Sequence, residues 1–186
     1  MQVFECRADN CLVLMIDVQE RFATAIPSIG PEGAVAAACE RLLKGVDLLG
    51  VPTLMTRQYP QGLGDTLPRL QAAAPDAISR DKIAFSCLDD DIIKRLLADS
   101  DRDEIIVCGV EAHVCVLATV ADALHHGYRV TVCADAIASR HPTNVDTATL
   151  AMRDLGALVL PVESVLFRWQ GLAQGERFKA LSKLVR

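Results

Sequence analysis

The sequence has no surplus of basic residues. Nineteen Lys and Arg stand against twenty-four Asp and Glu, a net charge of −5 with the two signs interspersed. A protein that lives on phosphate backbones carries a basic stripe, so nucleic acid is not an expected partner. Nor is there a long hydrophobic run. The first apolar stretch, Cys11–Ile16, is cut by Asp17 and is too short to cross a bilayer, and residues 1–10 lack a basic segment leading into an apolar one. No membrane partner and no secretory leader are expected, and the expected compartment is the cytoplasm. Internal repeats, low-complexity tracts and linkers are missing too. Gly62 and Gly64 are not followed by the strand-to-helix turn and Lys-Ser/Thr of a phosphate-binding loop. No cysteine pair has a metal-ligand spacing such as Cys-x-x-Cys, and no His/Asp/Glu cluster has one either, so no metal and no cofactor are expected.

What is present is apolar and periodic. Hydrophobic residues make up 51% of 186, far too many for a disordered chain. A domain of this length buries roughly 70% of its unfolded surface, so residues 1–186 are expected to form a single domain. Cys11–Ile16 reads as a strand buried on both faces. Residues 33–49 have helical spacing with Gly50 as the stop, and 52–56 read as a strand with Pro at its first position. Residues 57–77, punctuated by Pro and Gly, read as loop with at most one short helix. Asp89, Asp90 and Asp91 open the next helix. Residues 104–108, 129–134 and 158–161 complete five strands. Residues 109–113 are read as loop, 114–126 and 144–155 as helices, and 164–169 and 177–185 as terminal helices or helical turns. Apolar strands alternating with amphipathic helices imply right-handed βαβ units on a mainly parallel sheet.

In such sheets ligands bind beyond the carboxyl ends of the strands. Asp17 follows the first strand, Arg57-Gln58-Tyr59 the second, Gly109-Val110-Glu111-Ala112-His113-Val114-Cys115 the third, and Asp135-Ala136-Ile137-Ala138-Ser139-Arg140 the fourth. Of seven cysteines, Cys115 is set apart by its place near the first turn of a helix, which would lower its pKa. A buried Cys packing behind the loop explains that place equally well. Cys11, Cys39, Cys108 and Cys133 fall within strand or helix patterns and read as packing residues, whereas Cys6 and Cys87 are ambiguous. A nucleophilic thiol needs a proton acceptor. Asp17 suits that role, or else caps the turn that follows it. Lys82 is a lone cation stepping into an apolar stretch, or an ordinary surface lysine. His113 could line a pocket; His125 and His126 suit a helix end.

Asp17-Val18-Gln19, Lys82 and the 109–115 segment, with 135–140, resemble the isochorismatase-like cysteine hydrolases from about Cys11 to Pro161. Gln58-Tyr59-Pro60 is similar to a run in the family's isochorismatase-domain-containing proteins of the second type. The resemblance implies a three-layer α/β/α domain with five or six strands and an Asp17–Lys82–Cys115 triad. In that triad Asp17 takes the thiol proton, Lys82 stabilises the thiolate, and Cys115 attacks a carbonyl to form a thioester-type intermediate. It also implies a non-proline cis peptide at Val110–Glu111, aiming the amides of Glu111 and Cys115 at the oxyanion. The implied pocket is lined by Phe22, Gln58, Tyr59, Phe85, Glu111, His113 and Ile137, so a small site would claim much of the 4% aromatic content. Where nicotinamidases of the superfamily hold a metal with Asp-x-His, this chain has Thr56-Arg57-Gln58-Tyr59. The expected activity is therefore metal-independent hydrolysis of a small amide or related compound. Vinyl-ether hydrolysis, thiol redox chemistry and a binding role on a hydrolase fold are the alternatives. Self-association is expected, from the apolar 158–186 segment, whose Phe167, Trp169 and Phe178 are not all expected to fit one small core, and from the family's habit.

Overall fold

The computed structural model describes residues 6–186. Six strands form one all-parallel sheet: β1 (Cys11–Ile16), β2 (Thr53–Gln58), β3 (Ile78–Lys82), β4 (Glu104–Val110), β5 (Arg129–Ala138) and β6 (Leu158–Leu160). Every residue of β1 is buried because both faces of the sheet are covered. Side chains alternate across it. Cys11, Val13 and Met15 enter one core, and Leu12, Leu14 and Ile16 enter the other.

The first core is closed by α1 (Ala34–Leu49), α2 (Pro68–Ala73), α6 (Val162–Gln170) and α7 (Gly175–Leu184), which contribute Leu42, Leu43, Leu70, Val165, Leu166 and Leu181. The second is closed by α3 (Asp91–Asp99), α4 (Leu117–His125) and α5 (Pro142–Asp154), through Ile93, Leu97, Val120, Ala123, Ala148 and Met152. Each fully buried Leu or Ile contributes about 1.5–3 kcal/mol relative to exposure. The result is the three-layer α/β/α architecture that the alternating pattern predicts. The caps follow the local chemistry. Asp90 accepts from the amides of Ile92 and Ile93 at 3.0 Å each and so starts α3, and Gly50, at φ 67°, ends α1.

Three sequence expectations need correction. Residues 57–77 hold two helical pieces, Pro60–Leu63 and α2, each opening with Pro at its first turn, where the missing amide is no loss. Residues 78–82 form a sixth strand, missed because an edge strand with Ser79, Arg80 and Asp81 has no apolar run to show. The helix expected from Val114 begins as a π-helical turn over Ala112–Val116, and only Leu117–His125 is α-helical. Among the C-terminal aromatics, Trp169 is buried, while Phe167 and Phe178, whose rings meet at 5.9 Å, are only partly buried.

The strand order is β3-β2-β1-β4-β5-β6. The chain builds outward from β1 to β3, then returns to place β4 on the other side of β1, so the β1/β4 boundary is the topological switch point where a crevice opens. The two strands approach tightly there. A Cβ on Gly109, which has φ 135°, would lie 2.2 Å from the Ile16 carbonyl oxygen. The β4/β5 register also shifts between Val107 and Gly109, the extra residues falling in β5 between Val132 and Ile137.

Candidate active site

Asp17 is the first residue past β1 and is fully buried, at φ 56°. A non-glycine residue in that region is held there by its surroundings. Its amide donates to the Thr56 carbonyl at 3.1 Å. Its carboxylate is engaged on both oxygens, Oδ1 accepting from the Thr56 hydroxyl at 2.8 Å and Oδ2 from Lys82 Nζ at 2.7 Å. A buried carboxylate without such partners would be strongly disfavoured.

Lys82 ends β3, two strands away from β1, and its side chain reaches back over the end of β2. Neither partner of the Lys82–Asp17 ion pair has any exposed side-chain surface. The ammonium also lies 2.7 Å from Gln58 Oε1, 3.1 Å from the Ala84 carbonyl and 3.2 Å from the Phe85 carbonyl. Four acceptors surround a group with three hydrogens. The cation is fixed in place and aimed at Asp17.

Cys115 sits in the π-helical turn. At 4% exposure it is the most accessible of the seven thiols, the others being 1% or less. Burial pushes its pKa up to about 12; the Asp17 carboxylate and a hydrogen bond to it add to the rise, and Lys82 opposes it. The expected fall in pKa is therefore corrected. The turn ahead of α4 is π-helical, with the amides of Val114 and Val116 both directed at the Glu111 carbonyl (2.9 and 3.2 Å), and burial beside an anion outweighs the helix end. The resting thiol is protonated and lies near the Asp17 carboxylate. The structure thus brings Asp17, Lys82 and Cys115 together from the ends of β1, β3 and β4.

The cis peptide at Val110–Glu111 is not found: among the described residues every peptide bond is trans. The chain instead turns at Glu111 itself, at φ 24°, following Gly109 at φ 135°. Glu111 is buried, with Oε1 accepting from Arg140 Nε at 2.7 Å and Oε2 3.2 Å from His113 Nδ1. His113 Nδ1 also lies 3.0 Å from Ser139 Oγ, and its Nε2 lies 3.2 Å from Asn144 Nδ2. Both ring nitrogens of His113 thus have polar partners.

The other expected pocket residues divide. Gln58 donates to the Ile83 carbonyl at 2.6 Å while holding Lys82. Ile137 is buried on the Cys115 side of the sheet. Phe22 packs against the opposite core, away from Cys115. Tyr59 and Phe85 are mostly exposed, Tyr59 with its ring over Gly62, where a Cβ would meet it at 2.6 Å. A cavity of about 360 Å³ opens beside Lys82, lined by Pro60, Gln61, Ile83, Ala84 and the carboxylates of Asp81, Asp89 and Asp90.

Sequence reasoning assigned no role to three buried polar residues. Thr56 holds Asp17, and 4.0 Å away lies the sulfur of Cys87, whose own amide donates to Thr119 Oγ1 at 3.0 Å. Gln19 clamps the ends of two segments, donating to the carbonyls of Gln58 (3.0 Å) and Gly64 (2.8 Å) and accepting from the Gln58 amide (2.8 Å). The available signal for Thr56 and Gln19 was their place, at or just past the carboxyl end of an apolar strand; Thr119, inside α4, gave none.

Residues 11–164 match the Isochorismatase domain family model. Isochorismatase domain-containing protein 2A of Mus musculus is 34% identical over 178 residues, covering 96% of this chain and 84% of that protein. The structure of the MAR1 ribonuclease from Caenorhabditis elegans superposes with a TM-score of 0.87 at 32% identity, over 96% of this chain and 91% of that one. YcaC from Pseudomonas aeruginosa, at 21% identity, shares the fold with a TM-score of 0.91 over 99% of this chain and 93% of its own.

Proposed function

The chain belongs to the isochorismatase family of hydrolases, and on that premise we propose that it is a metal-independent cysteine hydrolase of a small amide or related compound. The observation that carries this reading is the Asp17 carboxylate, held by Lys82 at 2.7 Å and by Thr56 at 2.8 Å, with the Cys115 thiol close enough for the Asp17 and Lys82 charges to act on it.

In the proposed reaction the Cys115 proton moves to Asp17 as the sulfur attacks the substrate carbonyl, forming the C–S bond and placing negative charge on the carbonyl oxygen. The amides of Glu111 and Cys115 are the proposed donors to that oxygen. Collapse breaks the C–N bond, and the proton on Asp17 leaves with the amine. Water then gives a proton to Asp17 and attacks the thioester; on collapse the sulfur departs and recovers the proton. Lys82 remains in place throughout, its charge offsetting the thiolate as it forms. The stretch Thr56-Arg57-Gln58-Tyr59 offers no Asp-x-His donor set, which supports a reaction without a metal at this position. The exposed Tyr59, Ile83 and Phe85 beside Lys82 support self-association over this rim. The seven free thiols suit a reducing compartment. Among the described residues no helix is long and apolar enough to cross a membrane.

The test is turnover of a panel of small amides, with vinyl ethers and an RNA oligonucleotide alongside, by wild-type protein and Cys115→Ser. Release of amine by the wild type alone, with an acyl adduct on Cys115 in intact-mass spectra, is expected. Amide turnover that persists in Cys115→Ser, or turnover confined to the vinyl ethers or RNA, would overturn the proposal.

A further inference from the structure

At the amino end of the sheet, opposite the triad, lies a second group of thiols. Cys11 opens β1 and Glu104 opens β4, as direct register partners. Cys6 folds back onto them. The sulfurs of Cys6 and Cys11 and a carboxylate oxygen of Glu104 lie within 4.8 Å of one another, and the three residues are 1%, 0% and 3% exposed. We propose that these three residues form a structural site for a thiophilic divalent cation, with Zn²⁺ as the fitting ion.

Two thiols and a carboxylate are a zinc donor set, and Cys6 and Cys11 are spaced Cys-x4-Cys, within the range by which a short loop chelates that ion. The loop is already shaped. Residues Ala8–Asn10 form a 3-10 turn. Asn10 Nδ2 donates to Asp103 Oδ2 at 3.3 Å, and the Asp103 amide returns a bond to Asn10 Oδ1 at 3.2 Å. The segment carrying both thiols is thereby tied to the residue before Glu104. Tetrahedral coordination brings sulfurs to about 3.8 Å, given a Zn–S distance of about 2.3 Å, so closing the site needs a contraction of at most about one ångström.

The surroundings are those of a ligand shell. Thr131 Oγ1 donates to Glu104 Oε1 at 2.9 Å, and Arg129 Nη2 lies 3.5 Å from Oε2. Such outer partners orient a ligating carboxylate. Charge also balances: two thiolates and a carboxylate against one guanidinium leave −2, which a divalent cation neutralises. Binding exchanges two thiol protons for the ion and two metal–sulfur bonds, with no change in oxidation state. A cleft lined by Arg7, Ala8, Asp9, Arg168 and Trp169 opens at the segment that follows Cys6.

The test is titration of the reduced, metal-stripped full chain with Co²⁺. One equivalent is expected to give a near-ultraviolet thiolate-to-cobalt band and tetrahedral visible bands, both erased by Zn²⁺. Cys6→Ser and Cys11→Ser should each weaken binding at least about 100-fold, Glu104→Gln should weaken it and shift the visible bands, and Cys115→Ser should leave the titration unchanged. Zn²⁺ should raise the Tm of the wild type and of Cys115→Ser but not of Cys6→Ser. Cys6 lies outside the sheet, so its variant remains informative if Glu104→Gln fails to fold. No stoichiometric cobalt spectrum, or one that survives in Cys6→Ser, would overturn the proposal.

Discussion

The two ends of the sheet handle buried thiols differently. At the carboxyl end, Cys115 shares a crevice with a carboxylate and an ammonium whose partners all come from the ends of neighbouring strands. At the amino end, Cys6 and Cys11 face one carboxylate, and the guanidinium of Arg129 lies beyond it. Both ends bury their thiols near a carboxylate, but at the first the paired cation is fully buried, Lys82 at 2.7 Å from Asp17, whereas at the second Arg129 is partly exposed and 3.5 Å from Glu104. Arrangement, rather than a low resting pKa, separates a candidate nucleophile from a candidate ligand.

That contrast can be broken from the carboxyl end. The largest effect is expected from Asp17→Asn, which keeps the shape of the side chain and removes the proton acceptor. Loss of the general base should lower kcat/KM of the amide reaction by on the order of 10² to 10⁴-fold while the Co²⁺ titration at the amino end stays unchanged. Lys82→Ala leaves Asp17 buried without its cation. Urea denaturation should then show a loss of about 3–5 kcal/mol, and iodoacetamide labelling of Cys115, followed by peptide mass spectrometry, should slow.

Alkaline pH gives a smaller effect. The Cys115 pKa is raised from 9.0 to about 12 in the folded protein. Between those values the folded state retains a proton that the unfolded state has lost. The stabilisation is complete below pH 9 and is lost as pH rises toward 12, at no more than about 1.4 kcal/mol per unit. Across that window the wild type should lose stability relative to Cys115→Ser, as urea denaturation at each pH would show. The mildest change is Thr56→Val, which removes one hydrogen bond to Asp17 and should reduce stability by about 1 kcal/mol, measured against Lys82→Ala in the same assay.

The legible parts of the sequence were those where burial dictates composition. β1 and β4, covered on both faces, read as unbroken apolar runs, and Asp17 and Cys115 were found because they stand where those runs stop. β3 sits at the sheet edge with most of its side chains outward, so backbone pairing alone defines it, and Lys82 could not be told from a surface lysine. The shape of the turn before Cys115 was not readable, because a π-helical turn and an α-helical first turn use the same residue types. The Cys6–Cys11–Glu104 group was missed because Glu104 joins it only through the pairing of β1 with β4. Cys-x4-Cys by itself is a weak pattern.

The bare α-carbon of Gly109 has a consequence for the crevice as a whole. The Ile16 carbonyl occupies the volume a side chain would need, so the separation of the strands leading to Asp17 and Cys115 depends on one missing methyl group. Gly109→Ala would act as a wedge, prising acid and thiol apart while leaving every chemical group of the triad in the sequence.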